Sequence, residues 1–307
     1  MHITSSNIDA LRVQFEASLQ KGIKTSAPWH GELAMDVPSS AASNLYGMLE
    51  DTIQVREWLG EREAQAAKER DYSLVNKRFE MSRKLNRDRI ADDNFGMFPQ
   101  SMEDMGRAAA SFPDRQFSDF LLTNSALAFD GLPFFDPVHT KVDGTTYSNS
   151  TNLALNAANF ETVLAALMSQ TNAAGDVIDV GTEFILAVAP TNRANAFRIV
   201  ESESALTVGG TDAGAAVQNA NRGAARAIVI PQLASNANRW FVFATGLGIK
   251  PFIKQTREPL KMISLDQDSD ECVNKRNENE YMATFREGYG VTLPWLAYAS
   301  DPDAAMT

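Results

Sequence analysis

Residues 57–90 constrain the fold of this chain more than any other stretch, because about half of them are charged and few could build a hydrophobic core. Nine basic and six acidic side chains fall between positions 61 and 90, which gives this part a net charge of +3. The whole chain carries −11, so the remainder carries −14. Long polar segments are unusual in compact domains unless they have a function. The segment is therefore either a floppy loop or, as its length favours, a structure that another molecule orders.

A β-hairpin is the structure we predict for this segment. The sequences DYSLV and RFEMS flank the pair Asn76-Lys77, and asparagine tolerates the positive φ of a tight two-residue turn. Two strands alone are marginally stable in water, and these have too few apolar side chains to bury a face on their own domain. The side chains predicted to contact another molecule are Tyr72, Leu74, Asn76, Lys77, Arg78, Phe79, Arg83 and Lys84.

The densest acidic run, DQDSDE, is a candidate docking site for the positive charge of that hairpin. Its acidic side chains are Asp266, Asp268, Asp270 and Glu271. Exposed ion pairs contribute only ~0–1 kcal/mol each. The register of such a contact would therefore come mainly from backbone and apolar contacts.

The N-terminal residues combine a helical pattern with an extended one. Apolar residues recur at helical spacing at Ile8, Leu11, Phe15 and Leu19. The sequence that follows, KTSAPWHGELAMDVPSSAASN, is rich in Pro, Ser and Ala and is typical of an extended arm. Residues 1–35 are thus either a helix on its own core or an arm that reaches a neighbour.

Residues 92–123 carry the strongest helical pattern in the chain. An apolar stripe runs through Phe98, Met102, Met105, Ala109 and Phe112. Pro113 cannot sit inside a regular helix, so we expect a kink or a restart there. A stripe of this kind predicts a packed core helix, not a cofactor site.

From about residue 155 the pattern alternates between helix and strand. One amphipathic helix is predicted from Phe160, Val163, Leu164, Leu167 and Met168. TEFILAVAP, ARAIVIPQL and RWFVFAT are predicted buried strands, and TNRANAFRIV is a predicted helix that starts with a Thr cap. This pattern indicates an α/β subdomain. Residues 249–300 then show partial alternation, with Tyr281, Ala283 and Phe285 on one side of a strand.

The stretch FDGLPFFDPVHTKVDG contains the residues that most resemble a reactive centre. Asp130, Asp136 and Asp143 surround His139, one of three histidines in the chain. A metal or catalytic site normally needs a second histidine or a glutamate on a rigid element. Aspartates in loops commonly accept hydrogen bonds from their own backbone instead. We therefore predict turns and one packed histidine, with a metal-dependent hydrolase using Asp136 and His139 as an alternative.

Composition and other motifs narrow the function further. A single cysteine, Cys272, excludes an internal disulfide framework and a multi-cysteine zinc site. No phosphate loop or nucleophile elbow is visible, so we expect no catalytic residue, metal or cofactor. The net charge of −11 argues against general affinity for nucleic acid. No apolar run reaches the ~18 residues of a membrane span, and the N-terminus does not resemble a signal peptide.

Seven segments in collinear order closely resemble the major head subunit of Mu-like tailed phages and prophages. They are YGMLEDTIQVREWLGER, DYSLVNKRFEMSRKLNRDRIADDNFGMF, MGRAAASFPD, FDGLPFFDPVH, AIVIPQLA, KPFIKQTREPL and GYGVTLPWLAYAS. Each piece alone is weak evidence. The series is specific, and it covers nearly the whole chain.

The resemblance implies the α+β capsid fold of the Hong Kong 97 type. On that basis residues 1–35 are the N-terminal arm, 57–90 the E-loop hairpin that reaches over a neighbour, and 155–248 the axial (A) domain. The peripheral (P) domain would comprise residues 36–56, residues 91–154 with the spine helix at 92–123, and the closing strands at 249–300, with 301–307 as a tail. The FDGLPFFDPVH stretch would connect the spine helix towards the A domain.

The resemblance also implies a function in assembly. Copies would form pentamers and hexamers of an icosahedral shell around double-stranded DNA, which is packaged by non-specific proximity. Assembly would take place in the bacterial host cytoplasm, and the product would be the virion capsid. The arm is too short for a fused scaffold, so a separate scaffold or protease and a portal protein are implied as partners. An encapsulin-like compartment and a monomeric ligand-binding α/β module remain alternatives.

Overall fold

A computed structural model describes residues 5–49, 69–92, 97–141, 143–172, 175–206 and 216–303. Its helices are α1 (Ser5–Thr25), α2 (His30–Leu33), α3 (Arg87–Ala91), α4 (Met97–Ala110), α5 (Phe112–Thr123), α6 (Ala157–Met168), α7 (Arg193–Val200) and α8 (Glu271–Arg276). Its first strands are β1 (Ala34–Pro38), β2 (Ser43–Leu49), β3 (Glu69–Val75), β4 (Lys77–Asn86), β5 (His139–Thr140), β6 (Thr146–Tyr147) and β7 (Ser150–Thr151). The later strands are β8 (Phe184–Val188), β9 (Ser204–Leu206), β10 (Ala216–Gln218), β11 (Arg226–Val229), β12 (Trp240–Ala244), β13 (Phe252–Leu265), β14 (Glu278–Val291) and β15 (Ala297–Ser300).

A four-stranded sheet in the order β1-β13-β14-β4 forms one half of the molecule. Its centre is a ribbon of two antiparallel 14-residue strands, β13 and β14, paired from Phe252↔Val291 to Leu265↔Glu280. The register shifts twice, between Thr256 and Glu258 and between Glu258 and Lys261. Such bulges increase the local twist of a strand. β1 joins β13 in parallel, and β4 joins β14 in antiparallel orientation.

The predicted stripe in 92–123 forms two helices that cover this sheet. α4 buries Met102 and Met105, and α5 begins at Phe112 with Pro113 in its first turn. The expected interruption at Pro113 is confirmed, because proline is tolerated only where its missing N–H is not needed. Residues 93–96, the beginning of the predicted helix, lie outside the described residues.

α1 packs on the same face and confirms the predicted N-terminal helix. Ile8, Phe15 and Leu19 are buried, and the Phe15 ring meets the edge of Tyr281 at 4.9 Å. Two glycines allow an unusually close crossing of α1 with α4. A Cβ placed on Gly106 would lie 2.1 Å from the carbonyl oxygen of Leu19. The role of residues 1–35 as an arm towards a neighbouring subunit stays a prediction.

A five-stranded sheet in the order β11-β8-β12-β15-β7 forms the other half. β8 and β12 are buried along their whole length, as their apolar sequences predict. α6 packs through Phe160, Val163 and Leu167, whereas the predicted core residue Met168 is 49% exposed. The predicted Thr cap of the next helix is wrong. Residues 190–192 form a 3-10 turn, and α7 follows it from Arg193.

The closing residues divide between the two sheets. β13 and β14 belong to the four-stranded sheet, and Tyr281, Ala283 and Phe285 are all buried on one side, as predicted. β15, which lies in the segment 249–300 predicted to close the P domain, pairs with β12 in the five-stranded sheet. Its four residues are buried. The domain limits stay predictions.

We expect Gly106→Ala to destabilise the protein although alanine is the better helix former. The propensity gain is about 1 kcal/mol, whereas the new methyl group would force α1 and α4 apart. Overpacking of this kind costs about 1–3 kcal/mol, so the melting temperature should fall by several degrees. Gly31→Ala is the matched control, since a Cβ there meets nothing within 4 Å. Equal melting temperatures for the two variants would contradict the close crossing.

Candidate assembly surface

The hairpin in the structure is not the one predicted at Asn76-Lys77. β3 pairs with β2, from Ser43↔Val75 to Leu49↔Glu69, while β4 pairs with β14. Asn76 is therefore the point at which the chain passes from one sheet to another, and its φ is not positive. The prediction from local sequence is wrong because β3 and β4 do not pair with each other, and each pairs with a strand distant in sequence. Residues 50–68, which connect β2 to β3, and the first part of the predicted E-loop segment lie outside the described residues.

A chain of buried amide hydrogen bonds fixes the base of the β2–β3 hairpin to the ribbon. The Asn76 side chain donates to Ser39 Oγ at 2.8 Å and to the carbonyl oxygen of Ala41 at 2.9 Å. Gln255 of β13 donates to Asn76 Oδ1 at 2.8 Å and accepts from the Tyr46 hydroxyl at 2.6 Å. Asn76 and Gln255 are both buried. Buried polar groups held this way specify one arrangement, because any slip would leave them without partners.

Aromatic and apolar packing supports the same attachment. Leu74 and Tyr72 lie over Gly288 and Gly290 of β14, and a Cβ on Gly290 would be 2.7 Å from the Tyr72 hydroxyl. Burial raises the pKa of the Tyr72 phenol, partly opposed by a hydrogen bond with the backbone of Val291. The hairpin therefore sits on the two glycines because they leave room for its inner face.

The other face of the hairpin exposes two apolar side chains between Ser43 and Ser73. The pairs Ser43↔Val75 and Leu45↔Ser73 place Leu45 and Val75 on the same side. Their side chains are 66% and 56% exposed. These two residues form what we call the outer hairpin face.

Five of the eight predicted contact residues belong to β4, and the side chains of Phe79, Arg78 and Lys84 are engaged within their own subunit. Phe79 packs on Phe112 and Phe285 with ring centroids 4.7 and 5.4 Å apart. Arg78 binds both carboxylate oxygens of Glu258, at 2.9 and 3.0 Å. Lys84 Nζ lies 3.3 Å from Glu280. Arg83 and Lys77 also lie in β4, where they pair with Tyr281 and Glu287 of β14.

Each acidic side chain of the run DQDSDE has a partner within its own subunit. Asp266 is completely buried and lies 2.5 Å from Arg12 of α1. Asp268 pairs with Arg87 at 2.7 Å, and Asp270 accepts from the backbone N–H of Gln267 at 2.9 Å. Glu271 pairs with Lys275, four residues along α8. The charge of Asp266 is thus already matched inside the subunit, and the docking of the run onto a neighbour's hairpin stays a prediction.

The segment around His139 consists of turns around one packed histidine, as predicted. His139 Nδ1 lies 2.7 Å from Asp130 Oδ2, its Nε2 lies 3.2 Å from the carbonyl oxygen of Phe134, and its ring stacks on Tyr147 at 5.1 Å. Burial alone would raise the pKa of Asp130, but the hydrogen bond and charge of His139 and backbone N–H groups lower it overall. Both side chains are almost fully buried.

The other two aspartates of this segment close turns. Asp136 accepts from the N–H of Val138 at 2.7 Å, and Asp143 accepts from the N–H of Thr145 at 2.9 Å. Those contacts are the turn chemistry predicted for loop aspartates. Within the described part of the chain, no group of three or more His, Cys, Asp or Glu residues could hold a metal. None of the helices described is both long and apolar enough to cross a membrane.

Sequence analysis missed the residues that attach the hairpin. Neither composition nor helical spacing marks Ser39, Tyr46 or Gln255 as contact residues. One signal was available. In SNLYGML the residues Asn44 and Tyr46 alternate with Ser43 and Leu45, which is the period of a strand with two different faces.

Comparison with known proteins gives one family and two curated relatives. The profile of the family "Mu-like prophage major head subunit gpT" matches residues 8–154 and 232–306. A protein of Escherichia phage Mu described as "Major capsid protein" is 36% identical over 149 residues, 47% of this chain and 49% of that protein. "Mu-like prophage FluMu major head subunit" of Haemophilus influenzae is 33% identical over 156 residues, 50% of this chain and 51% of that protein. The chain thus spans about half the length of these relatives.

Solved capsid structures share the fold. The "Procapsid of bacteriophage JBD30" has a TM-score of 0.57 at 24% identity and covers 97% of this chain and 76% of that one. The "Capsid structure of the Cyanophage P-SCSP1u" has a TM-score of 0.57 at 13% identity and covers 90% of this chain and 88% of that one. At these identities the likeness shows the fold alone, which is the α+β capsid fold of the Hong Kong 97 type predicted from the sequence.

We expect Asn76→Ala to loosen the base of the hairpin, because Gln255 would lose a buried acceptor. Leaving a buried polar group without its partner costs about 1–3 kcal/mol. Hydrogen exchange at the β2 and β3 amides should accelerate accordingly. Asn238→Ala removes only an exposed bond to Asp303 and serves as the control. Unchanged exchange in the Asn76 variant would show that the amide network does not hold the hairpin.

We expect Asp130→Ala to be destabilising and Asp136→Ala nearly neutral. The first change leaves the buried His139 ring without its carboxylate, at a cost of about 1–3 kcal/mol. The second removes one exposed turn bond. Denaturant unfolding of both variants provides the measurement. Equal losses, or a metal that co-purifies with the parent chain and is lost in both variants, would favour the hydrolase alternative.

Proposed function

Since this chain belongs to the family of Mu-like prophage major head subunits, we propose that it is a major capsid protein whose copies form the icosahedral shell of a phage head. The observation that carries the proposal is the outer hairpin face. Leu45 and Val75 expose apolar side chains on a two-stranded sheet whose described residues are attached to the ribbon through Asn76, Tyr46 and Tyr72. A second copy that covers this face would bury apolar area and would stabilise the β2–β3 hairpin, which is marginally stable alone.

The proposal extends to the particle as a whole. Repeated contacts of this kind close into pentamers and hexamers when the rotation between copies is fixed. The subunit itself can fix this rotation, because the orientation of the hairpin base is held by Asn76 and Gln255. Double-stranded DNA is enclosed by proximity and not by general affinity, because a chain with a net charge of −11 does not attract phosphate groups. The role is structural, not enzymatic.

The remaining partners rest on the family alone. A separate scaffold or protease and a portal protein would complete assembly in the bacterial host cytoplasm, and the finished shell would belong to the virion. A compartment that encloses protein cargo is the competing function. The nucleic acid content of purified particles separates the two, because only the phage head packages DNA.

We expect Leu45→Asp with Val75→Asp to abolish shell formation while the subunit stays folded. Both side chains are exposed, so new charges cost the monomer little but would be buried in a subunit contact. Val177→Asp is the control, at a side chain that is 64% exposed outside the hairpin. Electron microscopy of particles and circular dichroism of the subunit are the measurements. Normal shells from the double variant would remove the outer hairpin face from the assembly contact.

A further inference from the structure

α1 is attached to α4 by a backbone contact that other side chains would prevent. A Cβ on Gly22 would lie 2.0 Å from the carbonyl oxygen of Glu103, and one on Gly106 would lie 2.1 Å from that of Leu19. Beside this crossing, Lys21 pairs with Glu103 at 2.9 Å, and Arg107 pairs with the same carboxylate at 2.9 Å. Such a crossing has one register, because sliding α1 by a residue would bring a side chain against the opposing backbone.

The first half of α1 holds the far end of the ribbon. Arg12 reaches Asp266, which follows the last residue of β13 and is fully buried. Phe15 meets Tyr281 near the start of β14 at 4.9 Å, and burial raises the pKa of that phenol to about 12. One helix therefore contacts both α4 and the end of the ribbon at which the segment with α8 joins β13 to β14.

The connection after α1 is too short and too well fixed for exchange. α1 ends at Thr25, and the backbone N–H groups of Trp29 and His30 donate to the Asp114 carboxylate at 3.2 and 2.9 Å. The four residues between α1 and α2 span at most ~14 Å when extended. α1 itself is about 31 Å long. Moving α1 onto a neighbouring copy would require this connection to leave Asp114 and α1 to give up its contacts with α4 and Asp266.

We propose that α1 remains on its own subunit in the assembled shell and acts as a brace that joins α4 to the far end of the β13–β14 ribbon. This inference rests on the proposed function and narrows it. Of the segments expected to reach a neighbour, residues 5–25 do not, and contacts between subunits fall to other parts of the chain. The brace keeps the four-stranded sheet and α4 together as one body while the hairpin engages another copy.

Thiol crosslinking tests whether the contact is made within one chain. Lys21→Cys and Glu103→Cys are placed in a Cys272→Ala background, since Cys272 is the only native cysteine. A short bis-maleimide is applied to free subunits and to shells made from three preparations. These are the double variant, each single variant, and a co-assembled mixture of the two single variants. Denaturing gels and peptide mass spectrometry then locate the link.

The brace predicts an internal link in the double variant, in free subunits and in shells alike. The mixture of single variants should give no more covalent dimer than either single variant alone. Covalent dimers specific to the mixture, or an internal link that is present in free subunits and lost in shells, would overturn the inference. A parent chain that forms no shells would contradict the proposed function instead, and the absence of the link in free subunits would still overturn the brace.

Discussion

The pairing of β13 with β14 is the constraint on which the rest of the structure depends. The ribbon is 14 residues long on each strand, so it is too long to be covered by one element. Near Phe252 and Val291 it belongs to the core shared with the five-stranded sheet, and near Tyr281 it belongs to the core under α1 and α4. β1 and β4 extend it on both sides. Because each core touches a different end of the ribbon, the ribbon transmits position from one core to the other.

The junction at Asn76 determines how the rigid β13–β14 ribbon orients the β2–β3 hairpin. The chain changes its pairing partner at this single residue. β3, before it, pairs with β2 of the hairpin, and β4, after it, pairs with β14 of the ribbon. The buried Asn76 amide meets Gln255, so the orientation of the hairpin base is set by the ribbon and not by the hairpin. A two-stranded element that is marginal alone can then hold a defined direction at its base, which repeated contacts between identical subunits require.

Elements that depend on local pattern were predictable, and pairings that depend on distant partners were not. The helical face of Phe15 and Leu19, the break at Pro113 and the buried strand Phe184–Val188 follow from spacing and proline chemistry, which act over a few residues. Asn76 was misjudged because its turn potential is local, whereas its partner Gln255 is 179 residues away. The burial of Asp266 against Arg12 was not predicted for the same reason, since Arg12 is 254 residues away. Only the fold brings such residues together.

The ion pairs made by the basic residues of the segment 61–90 change which interaction is expected to drive assembly. The positive segment was expected to seek an acidic neighbour, yet Arg78, Lys84 and Arg87 each bind a carboxylate of the same subunit. Charges already paired at the surface gain little from a second partner, because each exposed pair is worth ~0–1 kcal/mol and is screened by salt. Leu45 and Val75 stay exposed in the described part of the subunit. On the proposed function, apolar burial at the hairpin, with backbone contacts to set the register, would therefore be the stronger source of free energy for contacts between copies.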